Sequence, residues 1–113
     1  MARVLISLRC LPAALPVYLS IFEHYVLIAT DEEAVVAAAR RGDVLAVQAD
    51  GTQHDGTTWS VQVTGASHLP LDSDALAKRG AKQLQRVLAN GATLVAIAMT
   101  VVRGERVHWS FPS

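Results

Sequence analysis

Side chains that could bind a metal ion or attack a substrate are scattered along this sequence. The candidate metal ligands are four histidines, His24, His54, His68 and His108. They have no paired spacing, whereas a metal site needs several ligands that converge on one point. The candidate nucleophiles are four serines, Ser7, Ser20, Ser60 and Ser67. None stands in the glycine-flanked turn that presents a catalytic serine, so the sequence predicts no metal centre and no hydrolase triad.

Basic side chains form one cluster, in a segment that is predicted to be helical. Lys78, Lys82 and Arg86 recur every four residues and share one helix face, with Arg79 beside them. A solvated helix face is the simpler interpretation, and contact with a phosphate-bearing ligand of a partner subunit is the alternative. The whole chain has 10 basic and 10 acidic residues. No long-range field therefore attracts nucleic acid or an anionic membrane.

Two tryptophans and one cysteine complete the set of chemically distinctive side chains. Trp59 and Trp109 are either anchors of a core or interface, or partners that stack on a cofactor ring. Cys10 is the single cysteine, which excludes an intrachain disulfide and a thiolate zinc cluster. Such cysteine usage is typical of a reducing compartment, so we expect a cytoplasmic protein.

Length and composition predict one domain that associates with a second copy. The chain has 113 residues, 51% of them hydrophobic, and residues 1–113 are expected to form a single domain around one core. Zero net charge and a mean hydropathy of +0.30 favour association, so we expect a homodimer. The apolar stretches 11–22 and 93–102 are shorter than the roughly 18 to 20 residues of a membrane-spanning helix.

Apolar and β-branched residues predict strands through most of the chain. The predicted strands span residues 3–8, 15–21, 25–29, 43–49, 59–64, 93–102 and 106–111. We expect the first three to form a meander and the last two to form a hairpin around Arg103–Glu105. Residues 59–64 alternate strictly between apolar and polar side chains, which is typical of a half-buried antiparallel strand.

Two short helices are predicted between these strands. The first begins at Thr30–Glu33, which has the sequence of a capping box, and ends at Gly42. The second is expected from about residue 74 to residue 89, and Asn90–Gly91 stops it. Consecutive strands with two short helices indicate a mainly β fold, a β-barrel with two short helices, in which closure of the antiparallel sheet covers its edges.

Six segments stand in a recognisable order: Leu15–Tyr18, Leu27–Thr30, Ala39–Val44, Trp59–Gly65, Leu94–Ile97 and Val102–Val107. Their order and spacing resemble those of the pyridoxamine 5'-phosphate oxidase-like, FMN-binding split barrels. The resemblance covers most of the chain, from Arg3 to about Val107, although no single motif is diagnostic. It implies a split β-barrel that forms a homodimer.

The resemblance also implies a cofactor and its place. FMN would lie in a cleft between two subunits, with F420 as the alternative cofactor, and the implied activity is that of a flavin-dependent oxidoreductase. The chemistry would belong to the cofactor, and no catalytic residue is implied. Carried over by position, Val17, Tyr18 and Thr30 would border the flavin, and Trp59 and Ser60 would lie on the strand beside it.

Two features of the sequence depart from this family pattern. Flavin-binding relatives hold the phosphate with a hydroxyl and a basic side chain, whereas this chain has Ala34 and Val35 and places three carboxylates at residues 31–33. Those carboxylates compete for the helix amides and repel an anion. Relatives usually have a helix ahead of the first strand, whereas only two residues precede Arg3, so we expect a differently covered cleft. The alternative interpretation is a cofactor-free dimeric module that binds another ligand or has a regulatory role.

Overall fold

Strands dominate the computed structural model, which describes residues 2–8, 11–71 and 82–108. Its elements are, in chain order, β1 (Ala2–Leu8), β2 (Leu11–Pro16), β3 (Tyr18–Phe22), β4 (Tyr25–Thr30), α1 (Glu33–Arg41), β5 (Val44–Thr52), β6 (Thr57–His68), α2 (Lys82–Ala89), β7 (Thr93–Ala98) and β8 (Val101–His108). The strand pairs are antiparallel. The predicted mainly β architecture with two helices is confirmed.

The strands form one sheet that curls around a common core. Their order is β2-β1-β5-β6-β7-β4-β3, and β8 pairs with β6 beside this path. Val4 of β1 and Val47 of β5 belong to the same buried cluster as Ile28 of β4 and Ile97 of β7, and α1 adds Val35 to it. Because these strands come from opposite halves of the order, the sheet must bend round on itself, as in a barrel.

The first part of the chain forms four strands, whereas three were predicted. The predicted strand 15–21 is wrong, because it is divided at Val17 between β2 and β3. β2 pairs with β1, and β3 pairs with β4 on the other side of the barrel, so the expected meander is wrong as well. Pro16 has no N–H to donate to a ladder and so suits the end of a strand. Val17 is therefore the crossing point between the two halves of the sheet.

Helix α1 ends as predicted but begins differently. Gly42 adopts a left-handed conformation (φ 77°), and its N–H and that of Asp43 bond back to Ala39 and Ala38. At the start, the predicted capping box is wrong, since no side chain caps the helix. The Thr30 hydroxyl instead accepts a hydrogen bond from the N–H of Glu32 at 3.1 Å. This bond closes a tight turn before the helix.

β7 and β8 are two parts of one bent path along β6. The predicted hairpin around Arg103–Glu105 is wrong, because β8 runs straight through these residues. Both strands are antiparallel to β6, so they run in the same direction. Ile97 lies opposite Ser67 and Val101 lies opposite Thr64, which places one extra residue on the β7–β8 side. This is a β-bulge at residues 99–100, and it bends the strand.

Helix α2 packs on the opposite face of the β4–β7 pair from the main core. Val87 and Leu88 contact a second buried cluster that includes Leu27 of β4 and Leu94 of β7. The helix lies within the predicted range, and its predicted end is confirmed because Gly91 has φ 99° just after it. The predicted start of this helix and the end of the last predicted strand lie outside the described residues. In the part of the chain that is described, no helix is long and apolar enough to cross a membrane.

Candidate functional site

The first candidate site is a cleft at the end of β4, which we call the Thr30 cleft. It has a volume of about 290 Å³ and is lined by Val17, Ala29, Thr30, Asp31, Val87, Asn90, Gly91 and Ala92. The crossing between β2 and β3 forms one wall, and the turn from α2 to β7 forms the other. Four of the lining side chains are apolar, and two of the three polar ones, Thr30 and Asp31, stand where β4 ends. Such a cleft suits a flat apolar ligand with one polar edge.

Thr30 is fixed in this cleft by its neighbours on both sides. It is the last residue of β4, lies opposite Thr93 of β7 and is 7% exposed. Its hydroxyl oxygen accepts the N–H of Glu32, so the hydroxyl hydrogen is still available to donate to a ligand. The turn before α1 therefore places a hydroxyl group, held through its oxygen, beside the cleft.

The electrostatic character of the cleft is acidic. Asp31 lines it, and Glu32 and Glu33 follow at the start of α1. None of the eight lining residues is basic. The basic residues of α1 lie in its last turn, where Arg41 pairs with Asp43 at 2.8 Å. The described residues of this cleft therefore offer an anion no cation.

Val35 and Ala34, where the resemblance to the split barrels implies a phosphate contact, have different surroundings. Val35 is 0% exposed and belongs to the main core, so its side chain faces away from solvent. Ala34 is half-buried. A basic side chain at position 35 would lie in the core of this fold and would not reach a phosphate.

A second candidate site, the Trp59 cleft, lies where β5, β6 and β8 run side by side. Its volume is about 340 Å³, and it is lined by Gln48, Asp50, Gly51, Thr52, Thr58, Trp59, Ser60 and Glu105. The indole of Trp59 lies over Gly51, opposite it in the ladder, where a Cβ would come within 2.7 Å of Cζ2. Because glycine at position 51 has no side chain, the Trp59 ring can pack directly against the backbone there.

The polar contacts of this cleft lie on the face of the sheet that bears Ser60 and, opposite it, Glu105. Gln48 Nε2 donates to Ser60 Oγ at 3.3 Å. Arg3 of β1 donates to Asp50 in an ion pair that ties β1 to β5. Ser60 lies opposite Asp50, so both side chains are on the other face of the sheet from Trp59.

The five predicted flavin-binding residues are divided between these two clefts. Val17 and Thr30 line the first, and Tyr18 begins β3 opposite Ala29, next to that cleft. Trp59 and Ser60 line the second. One chain does not bring the two groups together, and their role in binding flavin stays a prediction.

Sequence reasoning missed several residues that line the clefts. Asn90 and Gly91 were recognised only as a helix stop and Glu105 only as part of a predicted turn, while Gln48 and Asp50 were not considered as site residues. Elsewhere, the rings of Tyr25 and His68 meet edge to face at 5.5 Å. No group of three or more His, Cys, Asp or Glu residues among those described is placed to hold a metal ion.

Comparisons with known proteins identify the fold. No family model and no curated protein sequence matches the chain. An FAD-binding protein from Mycobacterium smegmatis is 18% identical with a TM-score of 0.65, over 96% of this chain and 84% of that one. An FAD-binding protein from Mesorhizobium loti is 16% identical with a TM-score of 0.74, over 93% and 82%. A candidate pyridoxamine 5'-phosphate oxidase from Corynebacterium glutamicum is 19% identical with a TM-score of 0.71, over 97% and 82%. The fold is thus that of the split barrels, as predicted.

Proposed function

We propose that this protein binds a flavin through the Thr30 cleft and acts, as a homodimer, in a flavin-dependent oxidation or reduction. The observation that carries the proposal is the cleft itself, with apolar walls and, at one edge, the Thr30 hydroxyl, whose oxygen accepts the N–H of Glu32. The shared fold of two proteins named as FAD-binding supports it. The proposed substrate is a small molecule that can reach the flavin ring in the Thr30 cleft from solvent.

The residues of the Thr30 cleft fit a flavin ring. Val17 and Ala29 on one side and Val87 and Ala92 on the other offer flat apolar contact. The Thr30 hydroxyl could meet the polar edge of the ring. A volume of about 290 Å³ is at the small end of ligand pockets, so the rest of the nucleotide would extend beyond this cleft.

The same residues do not fit the phosphate of FMN or F420 at the start of α1. Three carboxylates stand there at residues 31–33, and Val35 is committed to the core. An anion at a helix N-terminus normally needs free amides and often a cation. We infer that these carboxylates repel the phosphate and weaken the binding of any flavin nucleotide placed in this cleft.

A bound flavin would supply two-electron chemistry, and the chain would supply its position and surroundings. The walls of the Thr30 cleft would exclude water from one face of the ring, and Thr30 would orient it through one hydrogen bond. Asp31, exposed at the mouth, would disfavour anionic substrates on the same side.

A second candidate function follows from the carboxylates at residues 31–33. A cleft that repels anions suits a neutral or cationic planar ligand better than a nucleotide. In that case the protein is a cofactor-free dimeric binding or regulatory module with the split-barrel fold.

The absorption spectrum of the purified protein distinguishes the two functions. A yellow preparation that releases FMN, FAD or F420 on denaturation is expected if the first function is right. A colourless preparation that binds neither riboflavin nor any flavin nucleotide in a calorimetric titration would refute it in favour of the second.

Neutralising the carboxylates is expected to strengthen the binding of FMN but not of riboflavin. The variant Asp31→Asn, Glu32→Gln, Glu33→Gln removes three negative charges near the proposed ring site. Exposed charges near a helix terminus contribute about 0.3 to 1 kcal/mol each, so the Kd for FMN should fall roughly ten-fold. Riboflavin has the same ring without the phosphate, and its Kd should stay the same.

Titration of both ligands into the wild type, this variant and a control checks the prediction. Glu23→Gln is the control, since Glu23 lies in the turn between β3 and β4 at the other end of these strands. Equal gains for FMN and riboflavin would mean that the carboxylates act on the ring, contrary to the argument from charge.

A further inference from the structure

The outer edge of β8 is open. The strand is hydrogen-bonded to β6 on one side, and no other strand of the described residues pairs with it. All five residues of Val101–Glu105 are exposed, including the two valines at 45% and 56%. An edge with free backbone groups and exposed valines is a template for pairing with another chain.

The two charged residues in this stretch have opposite signs and the same orientation. Arg103 and Glu105 are two positions apart, so both side chains leave the same face of the sheet. The described residues supply neither of them with an ion pair. Edge strands that resist pairing usually carry charges that repel a copy of themselves, whereas this edge carries one charge of each sign.

We propose that β8 pairs antiparallel with β8 of a second copy, about a two-fold axis at Gly104. The two β8 strands then join the sheets of both copies into one continuous sheet across the dimer. In this register Arg103 lies directly opposite the partner's Glu105, and Glu105 lies opposite the partner's Arg103. Opposite charges in directly opposed positions stabilise an antiparallel pair, and like charges destabilise it.

The charges select this register against its neighbours. An axis at Arg103 or at Glu105 sets that residue opposite its own copy. An axis between two adjacent residues is excluded, because it would set side chains of opposite faces against each other. The register at Gly104 alone pairs both charges with their opposites.

This pairing also changes the Trp59 cleft. Glu105 lines that cleft together with Asp50, and Arg3 is already paired with Asp50. The partner's Arg103 would come to lie beside Glu105, on the same face. Each cleft would thereby gain from the other chain a cation that neutralises its Glu105, as Arg3 already neutralises Asp50.

Charge reversal tests the register. Arg103→Glu and Glu105→Arg, made singly, place like charges opposite each other at both symmetry-related pairs. Each single variant should raise the dissociation constant of the dimer about ten-fold or more, as measured by sedimentation equilibrium. The increase should be smaller at high salt, which screens the charges. The double variant Arg103→Glu, Glu105→Arg restores the opposed signs and should return to within about three-fold of wild type.

Several results would overturn the proposal: a monomeric wild type, single variants that dimerise normally, or a double variant as weak as the single ones. A dimer that ignores all three variants would leave the proposed function standing and remove only this interface. Circular dichroism confirms that each variant is folded before its association is measured.

A cysteine at the axis provides a second, independent readout. In a Cys10→Ser background, Gly104→Cys brings two thiols together across the axis, within reach of a disulfide. Mild oxidation should give a covalent dimer. Val101→Cys in the same background, three residues from the axis, should give much less. Equal cross-linking of the two variants, or none of either, would contradict the register.

Discussion

Replacing Gly65 with alanine is expected to lower the free energy of unfolding by about 3 kcal/mol or more. A Cβ on this residue of β6 would collide with the backbone carbonyl oxygen of Ala98, and it would lie 3.1 Å from Thr100 Oγ1. The obstacle is backbone, which cannot rotate away as a side chain can. The bulge at residues 99–100 is held by hydrogen bonds from Thr100 N–H to Ala98 O and from Met99 N–H to His24 O, both at 2.9 Å.

Urea and thermal unfolding measure this effect. For a domain of about 100 residues, a loss of that size lowers the Tm by roughly 12 °C or more. Gly104→Ala is the matched control in β8, because its Cβ would meet nothing closer than 3.9 Å, and its unfolding should change by less than about 1 kcal/mol. Similar losses in the two variants would mean that the bulge tolerates a side chain and that Gly65 acts only through backbone entropy.

The same bulge explains why the end of the fold was mispredicted. Arg103-Gly104-Glu105 has the composition of a turn, whereas Met99-Thr100 has no residue that favours one. The chain bends at Met99-Thr100 because Gly65, far away in the sequence, lets the Ala98 carbonyl approach β6. Local sequence cannot report such a contact. The strand at residues 59–64, by contrast, was predictable from its alternation, because Val63 is buried and Val61 packs against the same core.

The sequence predicted one wall of the Thr30 cleft but not the other. The positions of Val17 and Thr30 followed from the order of segments, and the structure places both in one cleft. Its other wall comes from the turn after α2, and nothing in Asn90-Gly91 beyond a helix stop indicates a ligand. The burial of Val35 was not predictable, because residues 34–39 of α1 are all alanine or valine. An entirely apolar stretch does not indicate which face packs inward.

Replacing Val35 with lysine is therefore expected to unfold the protein, although a family comparison would suggest that it restores a phosphate contact. Val35 is fully buried against residues of several strands. Burying an ammonium group there without a partner costs about 3 kcal/mol or more, and the longer side chain also overpacks the core. Since burial lowers the pKa of a lysine, the folded state releases the proton more readily than the unfolded state. The stability of the variant should therefore rise as the pH is raised from neutral towards 10.

Ala34→Lys separates the effect of burial from the effect of charge. Ala34 is half-buried in the first turn of α1, where a lysine can extend into solvent. A positive charge at a helix N-terminus is unfavourable, but the carboxylates of residues 31–33 offset this effect. The free energy of unfolding should therefore change by less than about 1 kcal/mol. If the acidic turn is what weakens FMN, this variant should bind FMN more tightly than wild type while riboflavin binds equally. A stable Val35→Lys variant with improved FMN affinity would instead mean that the first turn of α1 rotates to expose position 35, and the core described here would be wrong at that point.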